Sequence, residues 1–283
     1  MNIRLSVVIP CYNREKTIKR CIESVLHQTK LPDEIIIIDD GSSDKTVEIV
    51  KEFACSKMKI LQQNHRGAQA ARNLGVLNAT GDYIAFLDSD DEWKENTVEL
   101  FFTCVTNGNE GKVIYGNYII RYEKKRKNEI VRVIDANGWV DKILLKTSIA
   151  LFGCTFAPRK DLLEMGLLDE KVQAYQEWDT AIRLSRKCEF KHVKYPFLIY
   201  YKHEDDCISK NHKASIKGYN YIIKKNRKEI VKYWGYPILK EHYNLILHEC
   251  MKMNTIEGML YYIFYAWQYL FCSIHELLPK RKE

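Results

Sequence analysis

The sequence predicts an α/β fold with a mostly parallel mixed sheet flanked by helices, followed by a helical C-terminal extension. Three observations support this prediction. Short apolar runs alternate with stretches of helical spacing between Leu5 and Asp91. Polar loops follow three of those runs, and an aromatic-rich segment lies near the C-terminus. An alternation of strands and helices is typical of parallel strands joined by right-handed crossovers.

Four strands and three helices are predicted up to Asp91. Leu5–Pro10 is a strand that ends at a proline, and residues 15–28 place apolar side chains at helical spacing. Consecutive isoleucines within residues 34–39 indicate a strand buried on both faces. The remaining elements are a helix ending near Phe53 and capped by Ser43 or Asp44, a strand over 57–61, a helix over 68–78 and a strand over 83–87.

An acidic loop follows the fourth strand, with carboxylates at Asp88, Asp90 and Asp91. Crowded carboxylates repel one another unless a cation lies between them, and hard oxygen ligands suit Mg²⁺ or Mn²⁺. A solvated loop that caps the next helix is the alternative. The polar loops 10–14 and 39–44 follow neighbouring strands. Because all three loops converge on the carboxyl edge of the sheet, the metal site is favoured.

Composition narrows the class of protein. The 283 residues suffice for one large domain with appendages, and a net charge of +7 is concentrated in residues 124–127, 224–228 and 280–282. Such clusters suit phosphate-bearing surfaces, or are solvated faces. Nine cysteines without a Cys-x-x-Cys pair indicate neither a zinc site nor disulfides. The first residues lead directly into a predicted strand and do not have the pattern of a signal peptide. We therefore expect a cytoplasmic protein.

The absence of Gly-x-Gly-x-x-Gly from the first loop excludes a dinucleotide fingerprint.

Four motifs resemble, in order and separation, those of family 2 glycosyltransferases over about the first 95 residues. They are Val7-Val-Ile-Pro-Cys-Tyr-Asn-Arg14, Ile38-Asp-Asp-Gly-Ser-Ser-Asp44, Gly67-x4-Arg72-Asn73-x-Gly75 and Phe86-Leu-Asp-Ser-Asp-Asp91. The resemblance implies a Rossmann-like nucleotide-diphospho-sugar transferase fold and inversion of the anomeric configuration. It implies a catalytic domain over 1–210, with a nucleotide-binding half (1–95) and an acceptor half (96–210), before a helical region over 211–283.

The same resemblance implies the residues of the donor site. Tyr12 would stack on uracil, and Asp40 would accept a hydrogen bond from the base, which favours UDP. Asp90 would be the direct ligand of Mn²⁺ or Mg²⁺, Asp88 would approach the ribose or the metal, and His203 would reach the metal or diphosphate, unless it is an exposed loop residue. The full nucleotide-binding set is Pro10, Tyr12, Arg14, Asp40, Arg72, Asp88 and Ser89.

The candidate general base lies at the start of a helix that begins near Gln176. The family carries a Glu-Asp pair there, whose second member is the base, whereas this chain has Gln176-Glu177. Glu177 would take the role, with Asp179 as the fallback, or Glu177 is simply an acid at a helix start. Cys154 is a conceivable nucleophile, although free cysteine mostly behaves as a small buried residue.

The segment 258–278 is aromatic-rich and is followed by basic residues. Its length approaches that of a membrane span, but Gln268, His275 and Glu276 argue against one. A helix on the inner membrane surface suits the pattern, and a buried helix or a dimer interface is the alternative.

The sequence thus predicts a metal-dependent hexosyltransferase that moves a sugar from a UDP-sugar to a glycan or lipid-linked acceptor in surface polysaccharide biosynthesis. Peripheral membrane contact is expected, and a nucleic-acid partner is not. The alternatives are a non-catalytic nucleotide-sugar-binding protein and a metal-dependent nucleotidyltransferase. The latter would require a Gly-rich basic phosphate loop near the N-terminus, which Pro10-Cys-Tyr-Asn13 does not provide.

Overall fold

The structure is a computed structural model that describes residues 3–202, 211–253 and 255–277. Tertiary contacts divide these residues into two compact units. The first unit comprises 3–140, 149–170 and 180–202, and the second comprises 141–148, 171–179 and the described residues from 211 onward. The predicted helical region therefore falls in the second unit, together with two short segments of the predicted acceptor half.

The predicted alternation of strands and helices is confirmed in the first unit. The four strands pair in parallel in the order β3-β2-β1-β4. The isoleucines from Ile35 to Ile38 are at most 1% exposed, as a strand buried on both faces requires. The elements are β1 (Leu5–Cys11), α1 (Ile18–Leu26), β2 (Glu34–Asp39), α2 (Thr46–Glu52), β3 (Met58–Gln62), α3 (Ala68–Asn78) and β4 (Tyr83–Phe86).

The rest of the chain extends this sheet on the β4 side and then adds helices. The sheet continues in the order β4-β8-β6-β9-β5, with β8 antiparallel to both neighbours and β9 parallel to β6, so the sheet is mixed. The elements are β5 (Glu92–Trp93), α4 (Thr97–Cys104), β6 (Val113–Tyr122), β7 (Lys127–Val131), α5 (Asp141–Leu144), β8 (Thr155–Pro158), α6 (Arg159–Glu164), α7 (Gln176–Leu184), β9 (Phe190–Tyr201), α8 (His212–Lys252) and α9 (Ile256–Leu277).

The sequence patterns of 113–122 and 129–134 predict the two strands of a β-hairpin, and β6 has the bounds predicted for the first strand, whereas β7 begins and ends earlier than predicted for the second. Strand β7 runs from Lys127 to Val131, and its residues pair antiparallel with β6. The side chain of Asn117 accepts a hydrogen bond from the amide of Val133 at 3.0 Å. Because a side chain and not the β6 backbone takes this amide, regular pairing ends before Val133.

Helix α3 lies close against β1 because residue 75 is glycine. A Cβ built at Gly75 would lie 2.3 Å from Cγ1 of Val8, far inside van der Waals contact. Farther along the sheet, stacked aromatic rings fill the core, with the ring centroids of Phe101 and Phe156 4.6 Å apart. The close approach of α3 fixes the position of its N-terminal end at the carboxyl edge of the strands.

The second unit is built on α8 and α9. Helix α8 starts at the capping residue Asn211, whose side chain accepts a hydrogen bond from the amide of Ala214, and it breaks at Gly235, where φ is 74°. The pattern of residues 214–233 predicts a basic helix, and the structure has these residues in the part of α8 before this break. Among the described residues, the helices lack a stretch whose length and hydropathy would let it cross a bilayer. The eight described cysteines are all free.

Candidate functional site

Hydrogen bonds join the loop after β1 to the start of α2. Asn13 has a left-handed backbone with φ of 51°, and its side-chain oxygen accepts a hydrogen bond from the amide of Ser43 at 2.9 Å. The amide of Arg14 donates to Oγ1 of Thr46 at 2.7 Å. These bonds hold three of the predicted nucleotide-binding residues at the carboxyl edge of the sheet, namely Pro10, Tyr12 and Arg14.

The carboxylate of Asp40 is buried and holds the turn before α3. It accepts hydrogen bonds from the amides of Arg66 and Gly67 at 2.9 and 2.8 Å, and from Nε2 of Gln63 at 2.6 Å. Gly67 has φ of 94°, a conformation that glycine adopts without strain. The contact between Asp40 and a nucleotide base remains a prediction, and the base would share a carboxylate that already has these partners.

The predicted stacking residue Tyr12 already stacks on a neighbour. Its ring centroid lies 4.0 Å from that of His65, with the two planes inclined by 29°. His65 Nδ1 lies 2.9 Å from Oδ2 of Asp40, so the imidazole is held from both sides. The sequence analysis did not single out His65. The only local signal was its place in the turn before Gly67.

A buried arginine joins α3 to the acidic loop. Nη2 of Arg72 lies 2.6 Å from Oδ1 of Asp88, and the Arg72 side chain is only 6% exposed. Nη1 of Arg72 donates to Gln69 at 3.0 Å, and the guanidinium carbon lies 4.4 Å from the ring centroid of Phe152. Two residues predicted to approach the nucleotide are thus brought into direct contact, and the adjacent Ser89 is buried.

Crowded negative charge is evident in the acidic loop itself. Asp91 is buried, and its carboxylate accepts a hydrogen bond from the amide of Tyr201 at 3.0 Å. Burial, together with the charges of Asp90 and Asp88, raises the pKa of Asp91 well above its usual range. Oδ2 of Asp90 lies 3.8 Å from a guanidinium nitrogen of Arg14, which partly offsets this charge.

The loop suits a cation that is shared with a substrate. The side chains of Asp88 and Asp90 are 40% and 33% exposed, so both carboxylates can reach a ligand. Mg²⁺ and Mn²⁺ commonly bind through one or two carboxylates, substrate phosphates and water. Among the described residues, no group of three or more His, Cys, Asp and Glu side chains could hold a metal ion by itself. The remaining predicted ligand, His203, lies outside the described residues.

An arginine that the sequence analysis missed supports this loop. Nη2 of Arg20 donates to the backbone carbonyl of Asp90 at 2.8 Å, and Nε lies 2.9 Å from a carboxylate oxygen of Glu92. The hydroxyl of Tyr201 donates to the same oxygen of Glu92 at 2.6 Å and accepts a hydrogen bond from Arg121 at 2.8 Å. These residues come from α1, β5, β6 and β9, so no local spacing reveals the cluster.

The Asn73 side chain explains why the third motif carries an asparagine beside its arginine. Its amide nitrogen donates to the carbonyl of Leu168 at 3.0 Å, and its oxygen accepts from the amide of the same residue at 2.9 Å. A further bond of 3.1 Å reaches a carboxylate oxygen of Glu170. Asn73 therefore anchors the predicted acceptor-side segment to α3.

Helix α7 carries the two predicted base candidates, and the second unit contains them both. Asp179 is 1% exposed, and its two carboxylate oxygens lie 2.8 and 3.1 Å from Nζ of Lys225. Trp178 lies between the two candidates in the sequence. Its side chain is buried, and its Nε1 donates a hydrogen bond to the carbonyl of Leu144 at 2.7 Å. Glu177 is half-buried. A buried carboxylate held by a lysine is poorly placed to meet an acceptor, so the geometry favours Glu177.

The buried-thiol interpretation of Cys154 is confirmed. Its side chain is fully buried, and burial raises the pKa of the thiol to about 12. A thiol with that pKa is protonated at neutral pH and is therefore a poor nucleophile.

By its mixed sheet and by the polar loops at its strand ends, the first unit is of the nucleotide-sugar transferase type. The sequence profile of the glycosyl transferase family 2 matches residues 6–161, more than half of the chain, and the chain belongs to this family. The predicted family membership is therefore confirmed.

Curated relatives match the N-terminal part of the chain. Glycosyltransferase GlyG of Streptococcus pneumoniae serotype 4 is 40% identical over 149 residues, which cover 52% of this chain and 49% of GlyG. The Escherichia coli UDP-Glc:alpha-D-GlcNAc-diphosphoundecaprenol beta-1,3-glucosyltransferase WfgD is 43% identical over 117 residues, covering 41% of this chain and 46% of WfgD. The chain thus spans about half the length of the curated relatives it matches.

A solved structure resembles nearly the whole chain. S. aureus TarS 1–349, in complex with UDP-GlcNAc, superposes with a TM-score of 0.74 at 16% identity, covering 95% of this chain and 81% of that one. Identity at this level shows the fold alone. The predicted fold, with its helical C-terminal stretch, is therefore confirmed.

Proposed function

We propose that this protein is an inverting glycosyltransferase that moves a hexosyl group from a UDP-sugar to a hydroxyl of a glycan or lipid-linked acceptor. The observation that carries the proposal is the placement of the four family motifs at one edge of the sheet, where Arg72 pairs with Asp88 at 2.6 Å. WfgD is named for a UDP-glucose donor and a diphosphoundecaprenol-linked acceptor, and TarS was solved with UDP-GlcNAc. Both support a UDP-sugar as donor, the WfgD name supports a lipid-linked acceptor, and we infer from them a role in surface polysaccharide biosynthesis.

The donor would bind across the ends of β1, β2 and β4. Tyr12 offers an exposed ring to a planar base, and the fixed carboxylate of Asp40 offers an acceptor. The guanidinium of Arg14 lies beside the acidic loop, where it can bind phosphate oxygens, and the buried Arg72 would act there by positioning Asp88. Stacking on the base, one directional hydrogen bond to it and the positive charge of Arg14 would together select a nucleotide diphosphate.

The acidic loop would hold a divalent cation through Asp90, with Asp88 at the ribose or at the same ion. Bound Mg²⁺ or Mn²⁺ would offset the negative charge that builds on the departing diphosphate. Arg72 holds Asp88 at 2.6 Å, closer than the 3.8 Å between Asp90 and Arg14, and we therefore propose Asp90 as the direct ligand. His203 remains a predicted third ligand.

Glu177 would act as the general base. Its carboxylate would take the proton of the acceptor hydroxyl while that oxygen attacks the anomeric carbon from the face opposite the diphosphate. The new glycosidic bond forms as the bond to the diphosphate oxygen breaks, UDP leaves with the electron pair, and the anomeric configuration inverts. A positioned base of this kind commonly contributes about 10²–10⁴-fold to the rate.

A lipid-linked acceptor would place the reaction at the cytoplasmic face of a membrane. The free cysteines suit a reducing compartment. Several lysines of α8 are exposed at positions that share one side of the helix, where they could meet anionic headgroups. They are Lys213, Lys217, Lys224 and Lys228.

Donor hydrolysis tests this function. A panel of UDP-, GDP- and dTDP-sugars would be incubated with the protein and Mn²⁺, and then with EDTA, while release of the nucleoside diphosphate is followed. We expect slow release of UDP from one donor, and we expect EDTA to stop it.

Release that is insensitive to EDTA would contradict the metal role of Asp90. Release from a GDP- or dTDP-sugar alone would contradict the uridine assignment. If no donor is hydrolysed, calorimetry with UDP separates two cases. Tight binding without turnover, even when candidate acceptors are added, would support a non-catalytic binding protein instead.

A further inference from the structure

Helix α9 exposes a continuous apolar stripe. Seven large side chains on it are between 50% and 79% exposed. On the opposite side of the helix, Gly258, Tyr265 and Cys272 are buried at intervals of seven residues. Soluble proteins rarely expose an apolar patch of this extent without a partner. The stripe consists of Ile256, Met259, Leu260, Ile263, Trp267, Leu270 and Ile274.

Six of these residues follow the spacing of a coiled-coil seam. The intervals between them alternate strictly between four and three residues over the length of the helix. Intervals of four and three are those of the a and d positions of a coiled coil, and from Ile256 to Ile274 they keep all six side chains on one narrow face of the helix. The seam residues are Ile256, Leu260, Ile263, Trp267, Leu270 and Ile274.

The second unit holds α9 in one orientation, with this seam outward. The ring of His275 stacks on Tyr236 of α8 with centroids 4.7 Å apart, and Gln268 accepts a hydrogen bond from Arg227 at 3.3 Å. Tyr265 faces Tyr243 of α8. Because these contacts use the other side of α9, α8 and α9 do not bury the seam between them.

We propose that the seam of α9 binds the same seam on a second copy of this chain, and so forms a homodimer. If each of the seven stripe side chains buries roughly 100 Å², one copy contributes on the order of 700 Å². A standard interface buries about 800 Å² per partner, so the stripe supplies nearly all of this area by itself.

Helix α9 itself lacks the positive charge that would hold a helix on an anionic bilayer. Helices that lie on membranes carry lysine and arginine beside their apolar face. Between Ile256 and Leu277 the sequence has neither, and its acidic residues are Glu257 and Glu276. Both glutamates already have lysine partners on α8, at 2.7 Å from Lys213 and 3.5 Å from Lys240. We therefore assign the seam to self-association, and the membrane contact expected for the aromatic-rich helix would have to use the lysines of α8.

Light scattering coupled to size exclusion, together with sedimentation equilibrium, tests the proposal on the full chain. We expect a dimer at micromolar concentration. The double substitution Ile263→Glu, Leu270→Glu places two charges in the seam and should yield a monomer. Leu77→Glu, which changes an equally exposed leucine on α3, is the matched control and should stay dimeric. Circular dichroism and the melting temperature confirm that each variant is folded.

A wild-type protein that stays monomeric over the whole concentration range would overturn the proposal. A dimer that the double substitution leaves intact would overturn it as well, since another surface would then form the interface. Co-sedimentation with vesicles of phosphatidylcholine and phosphatidylglycerol tests whether the seam binds a lipid bilayer instead. Vesicle binding by a monomeric wild type, lost in the double variant, would assign the seam to lipid and would also contradict self-association.

Discussion

The guanidinium of Arg20 lies 3.5 Å from the ring centroid of Tyr201, and its Nη2 donates to the backbone carbonyl of Asp90. One side chain therefore joins the last residue of β9 to the loop that carries the proposed metal ligand. The carboxylate of Asp91 makes a second connection between the same two segments. The acidic loop is held by the fold before any ligand binds, which is what a preorganised site requires.

Substituting Arg20 by lysine should impair turnover through the acidic loop. Lysine keeps the charge but lacks the planar fork that reaches Asp90, Glu92 and the Tyr201 ring together. We expect kcat to fall about 10-fold, the equivalent of one charged hydrogen bond of about 1.4 kcal/mol. The concentration of Mn²⁺ that gives half-maximal rate should rise several-fold. Tyr201→Phe, which keeps the ring under Arg20, should have a smaller effect. An unchanged Mn²⁺ dependence in Arg20→Lys would show that Arg20 does not position the acidic loop.

Glu177→Gln should abolish proton removal and leave donor binding intact. The amide is the same size as the carboxylate but cannot accept a proton, so transfer to the acceptor should fall by about 10²–10⁴-fold. Calorimetry should give the same Kd for UDP as the wild type. The substitution Gln176→Glu at the neighbouring position is the control, and it should leave transfer largely unaffected. Unchanged turnover in Glu177→Gln would exclude Glu177 as the base.

The ion pair between Asp179 and Lys225 should contribute to stability and not to chemistry. Lys225→Met leaves a buried carboxylate without its lysine, and we expect the free energy of unfolding to fall by about 2–4 kcal/mol. The double substitution Asp179→Asn, Lys225→Met should recover part of that loss. As a control, Lys19→Met breaks an exposed pair with Glu23 and should cost less than about 0.5 kcal/mol. Chemical denaturation measures all three, and an equal loss in the single and double variants would contradict the coupling.

Gly75→Ala should destabilise the first unit because the new methyl group overlaps Val8. Overpacking of a rigid core commonly costs about 1–3 kcal/mol. In a Val8→Ala background the same change should cost much less, since the clashing methyl groups have been removed. A thermal melt of the two single variants and the double variant gives this comparison. Equal costs in both backgrounds would mean that the helix shifts to accept the methyl group.

Stability should fall in mildly acidic solution because of His242. Burial lowers the pKa of this imidazole to about 4 from 6.5 in the unfolded chain. Its Nε2 donates to the carbonyl of Leu145, and the hydroxyl of Tyr219 donates to Nδ1, an arrangement that needs the neutral ring. The unfolded chain therefore binds more protons between pH 6.5 and 4, and the stability present above pH 6.5 is lost as pH falls through this window.

The loss attributable to His242 is at most about 3 kcal/mol. Melting temperatures measured from pH 7.5 down to 4.5 should show it in the wild type. His242→Gln can still donate to the Leu145 carbonyl but does not titrate, so its melting temperature should depend less on pH over this range. Parallel curves for the two proteins would contradict the assignment.

The sequence was sufficient to predict the parallel half of the sheet because each strand there is mainly apolar, with Ser6 as the polar exception inside β1 and Lys59 inside β3. It was insufficient for the antiparallel half. Strand β9 contains Lys191, Lys194 and Pro196, and strand β5 has only two residues, so neither presents an apolar run. The β6–β7 hairpin ends where the side chain of Asn117 accepts a hydrogen bond from the amide of Val133, and the apolar pattern of the sequence does not predict this contact.

The positions of the polar loops were predictable because these loops follow strand ends directly. Asp40 and Asp88 come one and two residues after β2 and β4, and the loops to which they belong could be placed at one edge. Arg20, His65 and Tyr201 could not be found in this way. Each of them acts through contacts with residues distant in the chain, and such contacts leave no local pattern. The pairing of Asp179 with Lys225 is also a tertiary contact, and our proposal of Glu177 over Asp179 as the base depends on it.

Because the ring of His65 stacks on Tyr12, a nucleotide base can bind to the same face of Tyr12 only by replacing the imidazole. The affinity of a planar base that comes to lie on the face covered by His65 is therefore the difference between two stacks and not the full value of one. A ligand that keeps the ribose and diphosphate but lacks the base would leave the imidazole undisturbed and would avoid that cost. On this face the base should therefore contribute little to donor affinity, and Asp40, which His65 also contacts, would discriminate among bases more by hydrogen bonding than by surface contact.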